Sequence, residues 1–204
     1  MTGKQHWEGV YETKAPDAVS WFQSTAARSL ALIRRAAPDH AGPIIDVGGG
    51  ASVLVEELLD EGYRDVTVLD LAGSALAVAR RRIGPASDQV HWMEGDVRSA
   101  SLPQSHYAVW HDRAVFHFLV DAADREQYRR QLAEALRPDG HAIVATFAED
   151  GPTKCSGLPV RRYSVEELSK EMAPGFRLVA SEREGHDTPM GTTQSFIYCL
   201  FKRE

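Results

Sequence analysis

Pro43-Ile44-Ile45-Asp46-Val47-Gly48-Gly49-Gly50-Ala51-Ser52 decides how this chain is read. A short apolar run carries one acid, Asp46, and ends in three glycines. Apolar residues then recur at helical spacing from Val53 to Leu59, and Gly62 stops them. The pattern is that of a buried strand, a tight turn and a helix. Glycines let a backbone turn sharply and approach a ligand, and a helix start offers free N–H groups to it. Taken alone, the stretch also fits a plain glycine-rich turn.

The chain on either side repeats the alternation. Asp65 to Leu71 reads as a second strand, Ser74 to Ile83 as a helix capped by Ser74, and Gln89 to Met93 as a third strand. Tyr107 to His111 is a fourth strand. Asp124 to Leu136 is an amphipathic helix closed by Arg137-Pro138-Asp139-Gly140, and His141 to Phe147 is a fifth strand. Ser164-Val165-Glu166-Glu167 opens a last helix as a capping box, ending before Pro174-Gly175. Phe176 to Ser181 and Ser195 to Phe201 form a closing hairpin pair. Strands alternating with helices predict an α/β fold, a mostly parallel sheet with helices on both faces. Ligands of such sheets bind beyond the carboxyl ends of the strands, where strand order reverses.

Two further acids sit at such ends. Asp70 closes the second strand about twenty residues past the glycines, where an acid can hold a ribose diol. Asp96, in Glu94-Gly95-Asp96-Val97, follows the third strand, within reach of an adenine amino group. A nicotinamide loop fits poorly, because Val53 stands where its last glycine or alanine belongs. The D-x-G-x-G loop, the two acids and the Leu136-to-Gly140 turn resemble the class I S-adenosylmethionine-dependent methyltransferases over Pro43 to Phe147.

That resemblance implies a Rossmann-like sheet of seven strands with the last antiparallel, S-adenosylmethionine as cofactor and S-adenosylhomocysteine as product. It implies that Asp46, Gly48, Gly49 and Gly50 wrap the methionine part, that Asp70 binds both ribose hydroxyls and that Asp96 binds adenine. Leu71 and Val97 flank the ring, and His111 belongs to the cofactor side. The aromatic segment with Trp7, Tyr11 and Trp21 is either a helix capping the core or a lid over the sulfonium, which electron-rich rings attract. The expected layout is one domain over 1–204: a helical lid in 1–40, the cofactor core in 43–147, and an acceptor loop, helix and closing strand pair in 148–204.

Trp110-His111-Asp112-Arg113-Ala114-Val115-Phe116-His117-Phe118 follows the fourth strand, which in the family lies beside the reactive methyl. Asp112, Arg113 and His117 are the catalytic candidates. Phe116, Cys155, Arg161, Tyr163 and His186 are the acceptor-binding ones, with Phe118 and Leu158 as further wall. An N-P-P-Y motif is absent here, which argues against nucleobase methylation. Cationic and aromatic residues suit a soft or anionic small molecule, so a thiol or sulfide is the expected acceptor. Protein lysine N-methylation is the alternative, and a non-catalytic nucleotide-binding domain is the alternative of another class.

Composition narrows the rest. Of 204 residues 43% are hydrophobic and 25% charged, with 29 acidic against 23 basic side chains and a net charge of -6. That is ordinary globular composition without the basic face of a nucleic-acid binder. No apolar run is long enough to span a bilayer, and Met1 to Tyr11 lacks a signal peptide's apolar stretch. Two cysteines are too few for a disulfide framework, and no metal spacing is present. A cytoplasmic monomer or homodimer acting on a small molecule is expected, with neither nucleic acid nor membrane as partner.

Overall fold

The computed structural model describes residues 3–204, so positions 1 and 2 of the expected 1–40 segment lie outside the described residues. Helices α1 (Gly3–Thr13) and α2 (Ala27–Ala36) precede β1 (Ile44–Val47). Then follow α3 (Leu54–Asp60), β2 (Val66–Asp70), α4 (Gly73–Ile83), β3 (Val90–Glu94), β4 (Tyr107–Arg113) and α5 (Ala122–Ala135). The remainder is β5 (Leu136–Phe147), a small hairpin of β6 (Lys154–Cys155) and β7 (Leu158–Pro159), α6 (Val165–Met172), β8 (Phe176–Asp187) and β9 (Thr193–Arg203). No helix among the described residues is long and apolar enough to cross a membrane.

The seven-stranded sheet has the order β3-β2-β1-β4-β5-β9-β8. β1 to β5 pair in parallel, and β9 runs antiparallel to both β5 and β8. Successive strand residues point to opposite faces, which splits the core in two. Ile44, Val109 and Ile143 pack with Leu30 and Ile33 of α2 and Leu58 of α3. Their neighbours Ile45, Trp110 and Val144 pack with Leu132 of α5 and Leu168 of α6 on the other side. Order reverses between β1 and β4, so the crevice opens at their carboxyl ends.

Three local expectations change. α4 begins at Gly73, and Ser74 is not its cap. The Gly73 and Ser74 amides instead donate to the Glu8 carboxylate of α1, at 2.8 and 3.1 Å. An acid there meets the unsatisfied N–H groups and the positive end of the helix dipole. Second, β5 starts at Leu136, and Arg137 to Gly140 form a bulge between the Tyr107–Leu136 and Val109–His141 pairs. Third, β8 and β9 run past their expected ends, so Glu184 to Asp187 are strand and only positions 188–192 turn. The Ser164 capping box stands as read: Ser164 Oγ accepts from the Glu167 amide at 3.1 Å, and the Glu167 carboxylate accepts from the Ser164 amide at 2.9 Å.

Glu8 therefore ties the first helix to the end of the second strand. Glu8→Ala is expected to cost about 1 kcal/mol, the usual scale of a lost cap. It should also make the segment before Pro16 more sensitive to limited proteolysis than the parent. Equal cleavage rates would show that other contacts hold α1.

Candidate active site

A cavity of about 330 Å3 lies at the carboxyl ends of the strands. β2 and β3 and the turns after them contribute Leu69, Asp70, Leu71, Asp96, Val97 and Arg98. β1 and its turn contribute Val47 and Gly48. The end of β4 and the hairpin contribute Arg113, Phe118, Cys155, Leu158 and Pro159, and the N-terminal segment adds Gly3, Trp7, Tyr11 and Trp21. A smaller cavity of about 60 Å3 shares Tyr11, Trp21, Gly48 and Arg113, and reaches Asp46, Gly49, Ser52 and His111.

The glycine loop has little freedom. Gly48 has φ +68° and Gly50 φ +38°, conformations that L side chains rarely adopt. A Cβ on Gly48 would overlap Val115, and one on Gly50 would lie 2.7 Å from Asp70 Oδ2. The Gly48 amide donates to the Leu69 carbonyl at 2.7 Å. Asp46 Oδ1 lies 2.7 Å from His111 Nδ1, and His111 Nε2 lies 2.8 Å from Ser29 Oγ. His111 thus joins β1, β4 and α2 behind the loop and faces only the smaller cavity.

Asp70 is buried at the main cavity, where Oδ1 accepts from the Ala72 amide at 2.8 Å. Burial pushes its carboxyl up to about 7, and the negative charges of Asp46 and Glu8 add to the rise. Asp96 is the opposite case. Arg98 holds both its oxygens, with Nε at 2.9 Å from Oδ1, and keeps its carboxyl below the usual carboxylate range. Arg98 also donates to Asp124 at 2.6 Å.

Trp7, Tyr11 and Trp21 form one aromatic cluster over the cavity. The Trp7 ring meets Trp21 and Phe118 edge-on, at 5.5 and 5.2 Å between centroids, and Trp21 Nε1 donates to the Tyr11 hydroxyl at 3.2 Å. His6 Nε2, on the same helix, lies 3.1 Å from Ser156 Oγ in the hairpin. Arg113 Nε donates to the Tyr198 hydroxyl at 2.8 Å and Nη1 to the Trp21 carbonyl at 3.2 Å, while Nη2 is buried without a partner. Burial pushes the Cys155 thiol up to about 11.

Of the acceptor candidates, the cavity wall holds Arg113 and Cys155 but not Asp112, His117, Phe116, Arg161, Tyr163 or His186. Asp112 faces α5, where it accepts from the Val115 and Phe116 amides and, at 2.7 Å, from the Tyr128 hydroxyl. It closes the turn after β4, and burial raises its carboxyl to about 6. His117 is fully buried, accepts from the Phe147 amide at 3.4 Å, and is pushed down to about 3 by that burial. Phe116 packs on Tyr128 and Tyr163, and Arg161 covers the outer face of Tyr163 and pairs with Glu171. His186, on the lengthened β8, donates to the Ser20 carbonyl at 2.8 Å. The reading from sequence missed Glu8, Arg98 and Tyr198. The spacing of Arg98, two residues past Asp96, was a usable signal for one of them.

The raised carboxyl of Asp70 has a signed consequence. Between the ordinary carboxylate range near 3.9 and about 7 the folded chain holds a proton that the unfolded chain has released. Its contribution to stability therefore falls as pH rises through that window. Asp70→Asn should gain melting temperature over the ligand-free parent at pH 8 and lose that gain by pH 4. An offset independent of pH would contradict the burial argument.

The residues fit a nucleoside joined to an amino acid: a glycine cradle, a buried acid beyond β2 and a second beyond β3. Residues 44–140 match the family model described as a methyltransferase domain. Human EEF1A lysine methyltransferase 2 is 22% identical over 190 residues, which is 86% of this chain and 75% of that protein. A solved structure titled for the conversion of a disulfide bond into a thioacetal group during echinomycin biosynthesis superposes with a TM-score of 0.79 at 17% identity, covering 100% of this chain and 93% of the other. The Burkholderia thailandensis 1,6-didemethyltoxoflavin-N1-methyltransferase, with its substrate and S-adenosylhomocysteine bound, superposes at 0.76 and 21% identity over 98% and 86%. The chain spans about a fifth of the length of the vertebrate eEF1A lysine and N-terminal methyltransferases it also matches. The matched span carries the glycine loop and both strand-end acids, and the sheet order is that of a Rossmann-like methyltransferase fold.

Proposed function

We propose that the chain methylates a small thiol or sulfide in the cytoplasm, with the segment before β1 acting as the lid of one catalytic domain. The observation that carries this is the charge of the cavity wall at β4 and the β6–β7 hairpin. It supplies one cation, Arg113, among Phe118, Leu158 and Pro159. The carboxylates lining the cavity among the described residues are Asp70, Asp96 and Asp124; Asp70 ends β2, and Arg98 holds the other two. Two free, buried cysteines suit a reducing compartment.

Bound S-adenosylmethionine supplies a methyl group already activated by its sulfonium. The chain's residues have to hold a nucleophile in line and exclude water; orientation alone supplies roughly 7–11 kcal/mol in well-fixed systems. A thiol, at about 8.5 in water, needs only a nearby positive charge to be held as its anion. Arg113 provides it. No histidine lines the main cavity among the described residues, so the thiol proton leaves to solvent before the transfer rather than to a wall base. Cys155, held protonated by burial, does not compete with the acceptor. The aromatic roof of Trp7, Tyr11 and Trp21 shields the reacting atoms.

Similarity to human EEF1A lysine methyltransferase 2 favours a second reading, transfer to a protein lysine. A lysine amine must be neutral to react and is served by an acid beside it. Asp112, the acid nearest in sequence to Arg113, is turned away to cap the β4 turn. The wall therefore suits the anion better than the amine.

Kinetics with sulfide and small aromatic and aliphatic thiols test the proposal. Arg113→Ala should lower kcat/KM about tenfold or more, the scale of one lost charged hydrogen bond. S-adenosylhomocysteine affinity should stay within a few fold. Unchanged kcat/KM in that variant, or no thiol accepted by the parent, would overturn the reading.

A further inference from the structure

Arg113 does not stand alone at the cavity. Its Nε donates to the Tyr198 hydroxyl on β9 at 2.8 Å, and Tyr198 donates onward to Glu184 Oε2 on β8 at 2.9 Å. Glu184 Oε1 accepts from Arg28 Nε on α2 at 3.3 Å, and Arg28 is paired in turn with Glu182. The guanidinium also lies 4.6 Å over the Phe196 ring, which fixes its plane. Tyr198 is 1% exposed, so neither of its bonds is exchanged with bulk water. Nothing in the methyl transfer uses Tyr198, Glu184 or Arg28.

We propose that Tyr198 is the positioning residue for Arg113, and that Glu184 sets the direction of its hydroxyl. The inference rests on the reading of Arg113 as the acceptor cation. A phenol beside a carboxylate donates its O–H to it in a hydrogen bond, which leaves the oxygen lone pairs for the Arg113 Nε–H. The carboxylate thus acts on the guanidinium through an oriented dipole, and a direct ion pair with Arg113 does not form. A direct pair would neutralise the cation, whereas the phenol holds it in place and leaves its charge for an anion. Burial, which pushes the Tyr198 hydroxyl up to about 12, keeps the proton available for this arrangement. Nε and one N–H of Nη1 are committed, and Nη2 is buried without a partner, so the guanidinium keeps donors that no protein group uses.

Two measurements separate this proposal from the reading it rests on. The first is hydrogen exchange at the Arg113 Nε–H by NMR, assigned by loss of the signal in Arg113→Lys. It should quicken about tenfold in Tyr198→Phe and in Glu184→Ala, the effect of roughly 1.4 kcal/mol, and much less in Glu184→Gln, which can still accept from the phenol. The second is kinetics with sulfide: Tyr198→Phe should raise KM about three- to tenfold, the net worth of a single hydrogen bond. Its kcat and its S-adenosylhomocysteine affinity should stay within about twofold, on the same scale. Should Tyr198→Phe fail to fold, Glu184→Ala carries both measurements. Unchanged exchange overturns the proposal whatever the kinetics. Faster exchange with unchanged KM, while Arg113→Ala raises KM, overturns positioning and leaves the function intact. An unchanged kcat/KM in Arg113→Ala itself overturns both.

Discussion

The contact between Asp46 and His111 holds the rest of the site in place. β1 and β4 are neighbours in space but are separated by three crossovers in sequence, and the crevice exists only because they part at their ends. A buried carboxylate from one and a buried imidazole from the other, 2.7 Å apart, lock that fork, and Ser29 brings α2 to the same point. The glycine loop is then forced to bend where Val115 and Asp70 leave no room for a Cβ. The cradle is set by packing rather than by a ligand, which is the preorganisation a cofactor site requires.

From that fork, the two-residue alternation of β4 sorts chemistry from structure. His111 and Arg113 face α2 and the N-terminal segment, where they meet Ser29 and the Trp21 carbonyl. Asp112, between them, faces α5 and meets Tyr128. One strand therefore contributes a loop anchor, a buried cap and a cation of the cavity in three consecutive residues. The roof is held from outside the sheet: Glu8 binds the start of α4, Lys4 pairs with Glu94, and His6 contacts the hairpin. Opening the cavity means releasing these polar contacts as well as the edge-on Trp7–Phe118 contact.

The alternation of strands and helices, the mostly parallel sheet and the strand-end acids were legible in the sequence, because hydrophobic runs, glycines and terminal acids report directly on backbone geometry; the antiparallel last strand followed only from the family resemblance. The acceptor side was less so. Asp112 and His117 have the residue types of a catalytic pair, but composition does not show that one caps amides and the other is fully buried against Phe147. Arg161, Tyr163 and Phe116 were expected to bind the acceptor, yet they pack on one another and none lines the cavity. His186 moved because β8 runs on to Asp187, a length that the polar run Glu182-Arg183-Glu184-Gly185 concealed. Tyr198 lay in what reads as an ordinary buried strand. Its role comes from residues fourteen positions before it and eighty-five before it, pairings only the fold creates.

The proposed function is transfer of an activated methyl group to a small sulfur nucleophile. The destination of label from methyl-labelled S-adenosylmethionine, incubated with purified protein and a cell extract containing both small thiols and proteins, tests it most directly. The label should appear in low-molecular-mass thioethers and disappear when thiols are blocked beforehand. Label concentrated in protein bands, unaffected by thiol blocking, would contradict the claim and point to lysine.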